Sequence, residues 1–400
     1  MDPLATAGPT LRLLLDQLWP AESGAVVIAG GGAVPGGHRV VEEYAVVPRL
    51  RSAQFLVPLA SRRAAAASLL RYNALRAPKT RAVRAVLGQG FRLGLGGLFD
   101  RIAVCVPSGG SATLVEHLAG ALGRGPLCFG VGVRPLDPNS KPTLQLFTLD
   151  GVPVGYAKIG WNDATRALVA NEAESIGALP ALPSAHVPGV LYHGAWNGRL
   201  ITVTAPLPPA VRGHRALDVP PPRELTDTFS GPPVRSALAA SDFWKRLRAE
   251  TSDPPGGQPG DDGDRTVVEA LRAALDRIEA AHGHREIGFG RWHGDWVPWN
   301  LGVHRGTVQI WDWEHSSAQA PLGLDLLHWR FQVALVSRGL PLADAVTAVR
   351  RSSAEDSLLG DLYLLEMFVR TWRLRRGGGG WNPAIHPAQL AVLAEIGVEA

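Results

Sequence analysis

The spacing of apolar and polar positions changes character along the chain. Residues 11–18 repeat apolar side chains at helical spacing and predict a short helix. Short apolar runs at 25–29, 43–47 and 54–58 predict strands, the first two separated by the turn Gly30-Gly31-Gly32. Residues 61–76 predict an Ala-rich helix, 102–106 a strand and 112–122 a helix. From Leu127 the pattern turns to strands. Residues 128–133 form one, 143–149 alternate with period two, Asp150-Gly151 marks a hairpin, and 152–159 form the partner. A helix over 165–177 and strands at 190–193 and 200–204 follow. Five strands with a helix after the third are thus expected between 128 and 204.

The second half reads differently. Residues 205–222 are too Pro-rich for regular structure, and 251–264 have the composition of a flexible loop. Between these a helix is expected over 241–250. Val267, Leu271, Leu275 and Ile278 then fall on one helical face, with Asp264 as a cap and Gly283 as a stop. Helices are expected over 324–337, 342–350 and 358–375. The fold class expected is α+β, with a β-rich part followed by a mostly helical one.

Composition narrows the function. A hydrophobic share of 46% over 400 residues supports a sizeable core and more than one domain. The net charge is +4, Lys occurs only at 79, 141, 158 and 245, and no dense basic block is present, so no nucleic-acid partner is expected. Two cysteines make neither a disulfide framework nor a zinc site. No apolar run reaches membrane-span length, and Asp2 and Asp16 interrupt the start, so a cytoplasmic protein without membrane partners is expected. Gly30 to Gly37 lacks the Lys-Ser/Thr of a phosphate loop and reads as a plain turn.

The chemistry concentrates in Trp292-His293-Gly294-Asp295-Trp296-Val297-Pro298-Trp299-Asn300 and Ile310-Trp311-Asp312-Trp313-Glu314. Phosphoryl transfer needs a carboxylate to orient and deprotonate a hydroxyl, plus oxygen ligands to hold Mg²⁺ on the phosphates. Asp295, Asn300 and Asp312 have those residue types in that order. Lys158, on an expected strand in a Lys-poor chain, is suited to the phosphates if a carboxylate fixes it, and Glu172 or Glu174 can do so. Two residues apart on a helix is about 200° of rotation, so only one of them faces Lys158.

The His293-Gly294-Asp295…Asn300…Asp312 pattern resembles that of the aminoglycoside phosphotransferase and choline kinase superfamily, with a protein-kinase-like fold. The resemblance covers about residues 127–335. It implies a two-lobed fold: an accessory region over 1–125, a β-rich lobe over 126–207 and a helical lobe over 208–400, with ATP between the lobes. It implies that Asp295 is the catalytic base and that Asn300 and Asp312 are Mg²⁺ ligands. Lys158 would contact the phosphates with Glu172 as its favoured partner, and Ser140, or Lys141 beside it, would lie near the phosphates. His293 and Asp325 would brace the loop. Trp296 and Glu314 are candidates for the substrate side, Trp296 by stacking. The expected activity is ATP- and Mg²⁺-dependent phosphorylation of a hydroxyl on a small polar molecule of aminoglycoside, sugar or amino-alcohol type. The alternative is a catalytically inactive kinase-like nucleotide-binding or regulatory module. A protein kinase is disfavoured, because Trp313-Glu314 replaces Phe-Gly after Asp312 and the Gly-rich loop around Gly130-Val131-Gly132 lacks its third glycine. The acceptor and the oligomeric state are not legible.

Overall fold

The structure is a computed structural model. It describes residues 4, 6–72, 75–109, 112–135, 139–221, 223–252 and 262–398. Residues 136–138, just before Ser140, and most of the loop expected over 251–264 lie outside these residues. The chain forms two compact units, residues 1–173 with 187–213 and residues 174–186 with 214–400.

The first unit runs α1 (Pro9–Leu18), β1 (Val26–Ala29), β2 (His38–Val47), β3 (Phe55–Pro58), α2 (Arg62–Leu70), α3 (Pro78–Arg92), β4 (Asp100–Pro107), α4 (Leu114–Ala121), β5 (Leu127–Gly132), β6 (Thr143–Thr148), β7 (Pro153–Gly160) and α5 (Asp163–Gly177). The last residues of α5 and the short β8 (Ala185–His186) fall in the second unit. The chain then returns as β9 (Val190–Trp196), β10 (Arg199–Thr204) and the two-residue β11 (Arg212–Gly213). Nine strands make one sheet in the order β1-β4-β2-β3-β5-β6-β7-β10-β9, every pair antiparallel. The join is β3 to β5, Phe55 opposite Gly132 and Leu56 opposite Val131, so residues before 125 share a sheet with the strands after it.

Alternation gives this sheet two buried faces. Leu11, Leu14 and Leu18 of α1 and Leu114 and Leu118 of α4 pack with Phe129, Val131, Leu144 and Leu146. On the other face Ala64 and Ala67 of α2 meet Cys128 and Phe147. Here Gly130 is required by close approach: a Cβ on it would lie 2.7 Å from Cβ of Ser68. Helix α2 ends earlier than its Ala-rich sequence suggests. Tyr72 adopts φ 56°, and Pro78 then starts α3 at a helix position where a missing N–H costs nothing.

The second unit contains α6 (Arg223–Ser230), β12 (Val234–Ala237), α7 (Asp242–Thr251), α8 (Asp262–His282), β13 (Glu286–Trp292), β14 (Leu301–His304), β15 (Thr307–Ile310), β16 (Ser317–Pro321), α9 (Leu324–Gln332), α10 (Leu342–Ser352), α11 (Ser357–Arg376) and α12 (Gln389–Glu395). Its core is formed by Trp244, Leu271, Leu275, Ile278, Phe289, Phe331, Tyr363 and Phe368. Helix α11 is buried on all sides from Leu362 to Thr371, with Glu366 and Arg370 as the charged residues of that stretch. Strand β13 lies between β12 and β16 and points the chain out of this core into the loop beginning at His293. The mixed α and β architecture, β-rich first and helical second, is the one expected from the sequence. Among the described residues no helix is long and apolar enough to cross a membrane.

Candidate active site

The loop after β13 is held by groups on distant helices. The Asp325 carboxylate, in the first turn of α9, accepts the backbone N–H of His293 (2.9 Å) and of Gly294 (3.0 Å). Burial raises this carboxyl to about 7, against the lowering effect of those two bonds and of Arg370. Arg370 of α11 donates to the Gly294 carbonyl at 2.7 Å and lies over the Trp292 ring. Gly294 has φ 78°, and a Cβ there would sit 2.1 Å from the His315 carbonyl oxygen, so no other residue fits this turn. His293 is fully buried; its Nδ1 accepts the Asp295 N–H (3.1 Å), and its Nε2–H therefore donates to the Trp311 carbonyl (3.1 Å).

Asp295 emerges from this frame with both carboxylate oxygens engaged. His328 Nε2 lies 3.0 Å from Oδ1, and Asn300 Nδ2 donates to Oδ2 at 2.7 Å and to the Asp295 carbonyl at 3.1 Å. The Tyr363 hydroxyl donates to His328 Nδ1 (3.1 Å), which fixes the proton of the buried imidazole on Nε2, facing Asp295. Burial lowers the His328 value, so the neutral ring is the donor. Burial pushes the Asp295 carboxyl up, but the His328 hydrogen bond and the surrounding His328, His315 and His293 rings outweigh it and hold the group at about 2. At neutral pH Asp295 is a carboxylate.

Asp312 is brought to the same loop by a tight hairpin. Arg305 (φ 51°) and Gly306 (φ 84°) form the two-residue turn between β14 and β15, with Leu301 opposite Ile310. The Trp311 N–H donates to the Asn300 carbonyl (3.2 Å), which places Asp312 one residue beyond the end of this pairing. Asp312 itself has φ 73°, a left-handed conformation that costs an L-residue of order 1 kcal/mol and that recurs where function dictates the backbone. With its amide hydrogens turned toward Asp295, Asn300 has only its carbonyl oxygen to offer a metal, and Asp312 offers a carboxylate. This all-oxygen pair fits a hard cation whose remaining ligands come from phosphates and water. Among the described residues no cluster of three or more His, Cys, Asp or Glu could hold a metal by itself.

In the first unit, Lys158 Nζ donates to Glu172 Oε1 at 2.8 Å. Glu172 is buried and Glu174 exposed, which decides between the two carboxylates. The helix carrying Glu172 is started by Asn162, whose Oδ1 accepts the Thr165 N–H at 2.8 Å. The Ser140 carbonyl accepts the Trp161 indole N–H at 3.0 Å, anchoring the chain after the loop between β5 and β6.

Three comparisons with known proteins bear on the chain. No protein-family model and no curated protein matches it. Among solved structures it is similar to a thermostable mutant of aminoglycoside phosphotransferase APH(4)-Ia in a ternary complex with AMP-PNP and hygromycin B, at 11% identity, TM-score 0.45, 72% of this chain and 100% of that one. It is also similar to the amicoumacin kinase hAmiN in complex with AMP-PNP, Ca²⁺ and Ami (13% identity, TM-score 0.38, 68% and 87% covered). A third likeness is to a choline/ethanolamine kinase family protein from Mesorhizobium loti (18% identity, TM-score 0.30, 70% and 92% covered).

Two of the residues singled out in the sequence for the substrate side are enclosed. Trp296 is 1% exposed; its ring packs on Phe229 and His293, so its face is not open for stacking, whereas Trp299 is 44% exposed. Glu314 is nearly buried and lies 3.7 Å from His315. Sequence reading missed His328, Tyr363 and Arg370, which orient Asp295 and its loop. The available signal was His328 three residues after Asp325, a spacing that puts both on one face of α9.

Proposed function

We propose that the chain is an ATP- and Mg²⁺-dependent phosphotransferase that phosphorylates a hydroxyl of a small polar molecule of aminoglycoside, sugar or amino-alcohol type. The observation that carries this reading is the Asp295 carboxylate, kept ionised by His328, tied to Asn300, and linked through one hairpin to the left-handed Asp312. In phosphoryl transfer the protein mainly positions groups and neutralises charge, and these residues are of the kinds that do so. Asp295 aligns the acceptor hydroxyl and takes its proton. Lys158, held straight by Glu172, binds phosphate oxygens. Asn300 and Asp312 hold the Mg²⁺, which when bound neutralises phosphate charge. His293, Asp325 and Arg370 keep the loop in place. The exposed Trp299 is the aromatic face offered to an acceptor.

The test is transfer of the γ-phosphoryl group from MgATP to a pool of polar metabolites, followed by mass. The reading requires phosphorylated products from the native chain and none from Asp295→Asn, with ATP bound by both. Absence of ATP binding in the presence of Mg²⁺ would reject it.

A further inference from the structure

A cavity of about 360 Å³ in the first unit gathers positive charge, and among the described residues no carboxylate lines it. Arg84 of α3 forms part of its wall and is buried; it donates through Nε to the Leu69 carbonyl (3.1 Å) and through a terminal nitrogen to the Ser68 carbonyl (2.9 Å), and it stacks over Phe55. Arg76, before α3, and Arg134, after β5, line the same cavity from exposed positions. Burial lowers Arg84 to about 10, and Arg76 adds to the lowering as a like charge; the Arg76 guanidinium, partly desolvated within the cavity, is lowered by that desolvation and by Arg134. No Asp or Glu lines the cavity among the described residues; Thr80, Gln54 and Gln145 add neutral polar groups.

The cavity lies on the sheet face that carries Lys158. Thr143 and Gln145 of β6 line it, as does Tyr156 of β7. Thr143 pairs with Lys158 and Gln145 with Tyr156, and residues paired across antiparallel strands project to one face. Gly130 and Gly132 of β5 line it without side chains.

We infer that this cavity is a binding site for a phosphate-bearing anion, built about half by residues that precede the β5 strand and lying on the Lys158 face. Planar guanidinium forks match phosphate oxygens in pairs, and several converging arginines suit a ligand with more than one negative charge. The volume falls in the range of small-molecule sites and exceeds what one inorganic phosphate fills. The ligand is either the phosphate tail of the nucleotide or a separate phosphorylated metabolite; only the first identity rests on the phosphotransferase reading.

The experiment is calorimetric titration of the full chain with inorganic tripolyphosphate, without Mg²⁺, before and after saturation with ATP. The exposed pair is replaced as Arg76→Gln with Arg134→Gln, because Arg84 also braces the end of α2 and its loss would unsettle the fold. The native chain should bind tripolyphosphate, and the double variant should bind it about tenfold more weakly. Displacement of tripolyphosphate by ATP assigns the site to the nucleotide; simultaneous binding assigns it to a second phosphorylated ligand. No binding by the native chain, or equal binding by the double variant, overturns the inference. Neither result depends on turnover, so failure here is separable from failure of Asp295 as the base.

Discussion

Glu42 in the first unit and Asp295 in the second are both carboxyls largely withdrawn from water, yet they end at opposite extremes. Burial raises Glu42 to about 7; a hydrogen bond from the Tyr44 hydroxyl lowers it, but Glu116 adds a like charge that raises it further. Asp295 suffers the same burial and is held at about 2, because His328 donates to it and His315 and His293 lie near. Enclosure alone neutralises a carboxyl; enclosure with oriented donors and imidazoles keeps its charge. Only the second arrangement keeps a carboxylate ionised throughout the neutral range, as the role proposed for Asp295 requires.

Substitutions at four positions break or sharpen this contrast, the largest effect first. Asp295→Asn removes the proposed base while keeping the shape, and turnover should fall by about 10³-fold with ATP affinity retained. Asp325→Ala leaves the buried N–H groups of His293 and Gly294 without their acceptor; urea unfolding should show a loss of about 2–3 kcal/mol. His328→Ala removes the donor that offsets burial, so the Asp295 value should rise and the acid limb of the kcat/KM profile should move to higher pH, with turnover down about tenfold. His328→Gln, which keeps an N–H, should recover part of the loss; an unmoved acid limb in the Ala variant would remove His328 from this role.

The smallest effect belongs to Glu42→Gln. The folded Glu42 value of about 7 exceeds its ordinary 4.5, so between these pH values the folded state binds more protons than the unfolded chain. Stability from this group is full below pH 4.5, falls as pH rises through about 7 and then levels off. The Gln variant should lose that slope in unfolding curves measured across the window. Asp295 runs the other way: its value lies below the ordinary 3.8, and its contribution, present above that, is lost as pH falls through about 2.

Legibility in the sequence followed how local each feature is. The hairpin between Asn300 and Asp312 is local, with Arg305-Gly306 as its turn and Leu301 opposite Ile310. The strands around Lys158 were readable for the same reason, and the helix after them placed Glu172 within one turn of Glu174. Helix α3 was not expected: it has only Arg84, Gly88 and Phe91 buried, too few apolar positions to write a stripe. Gly130 resembled half of a glycine-rich loop, while its close contact is Ser68 of α2, a partner no spacing reveals. His328, Tyr363 and Arg370 come from 33 to 76 residues beyond the loop groups they touch or act through. Such partners are set by how α9 and α11 pack, which the chain specifies only through its core. Trp296 shows the same limit in reverse, since an aromatic in a functional loop fits a ligand face and a packed core equally well by type.

The central claim is that Asp295 is the base of a phosphoryl transfer. Its most direct test is a side-by-side incubation of the native chain and Asp295→Asn with MgATP and a polar-metabolite pool, read by intact mass, with ATP affinity measured on both proteins. The account predicts a metabolite gaining one phosphoryl group with the native chain alone, at matched ATP affinity. The same product formed at the native rate by Asp295→Asn would contradict it.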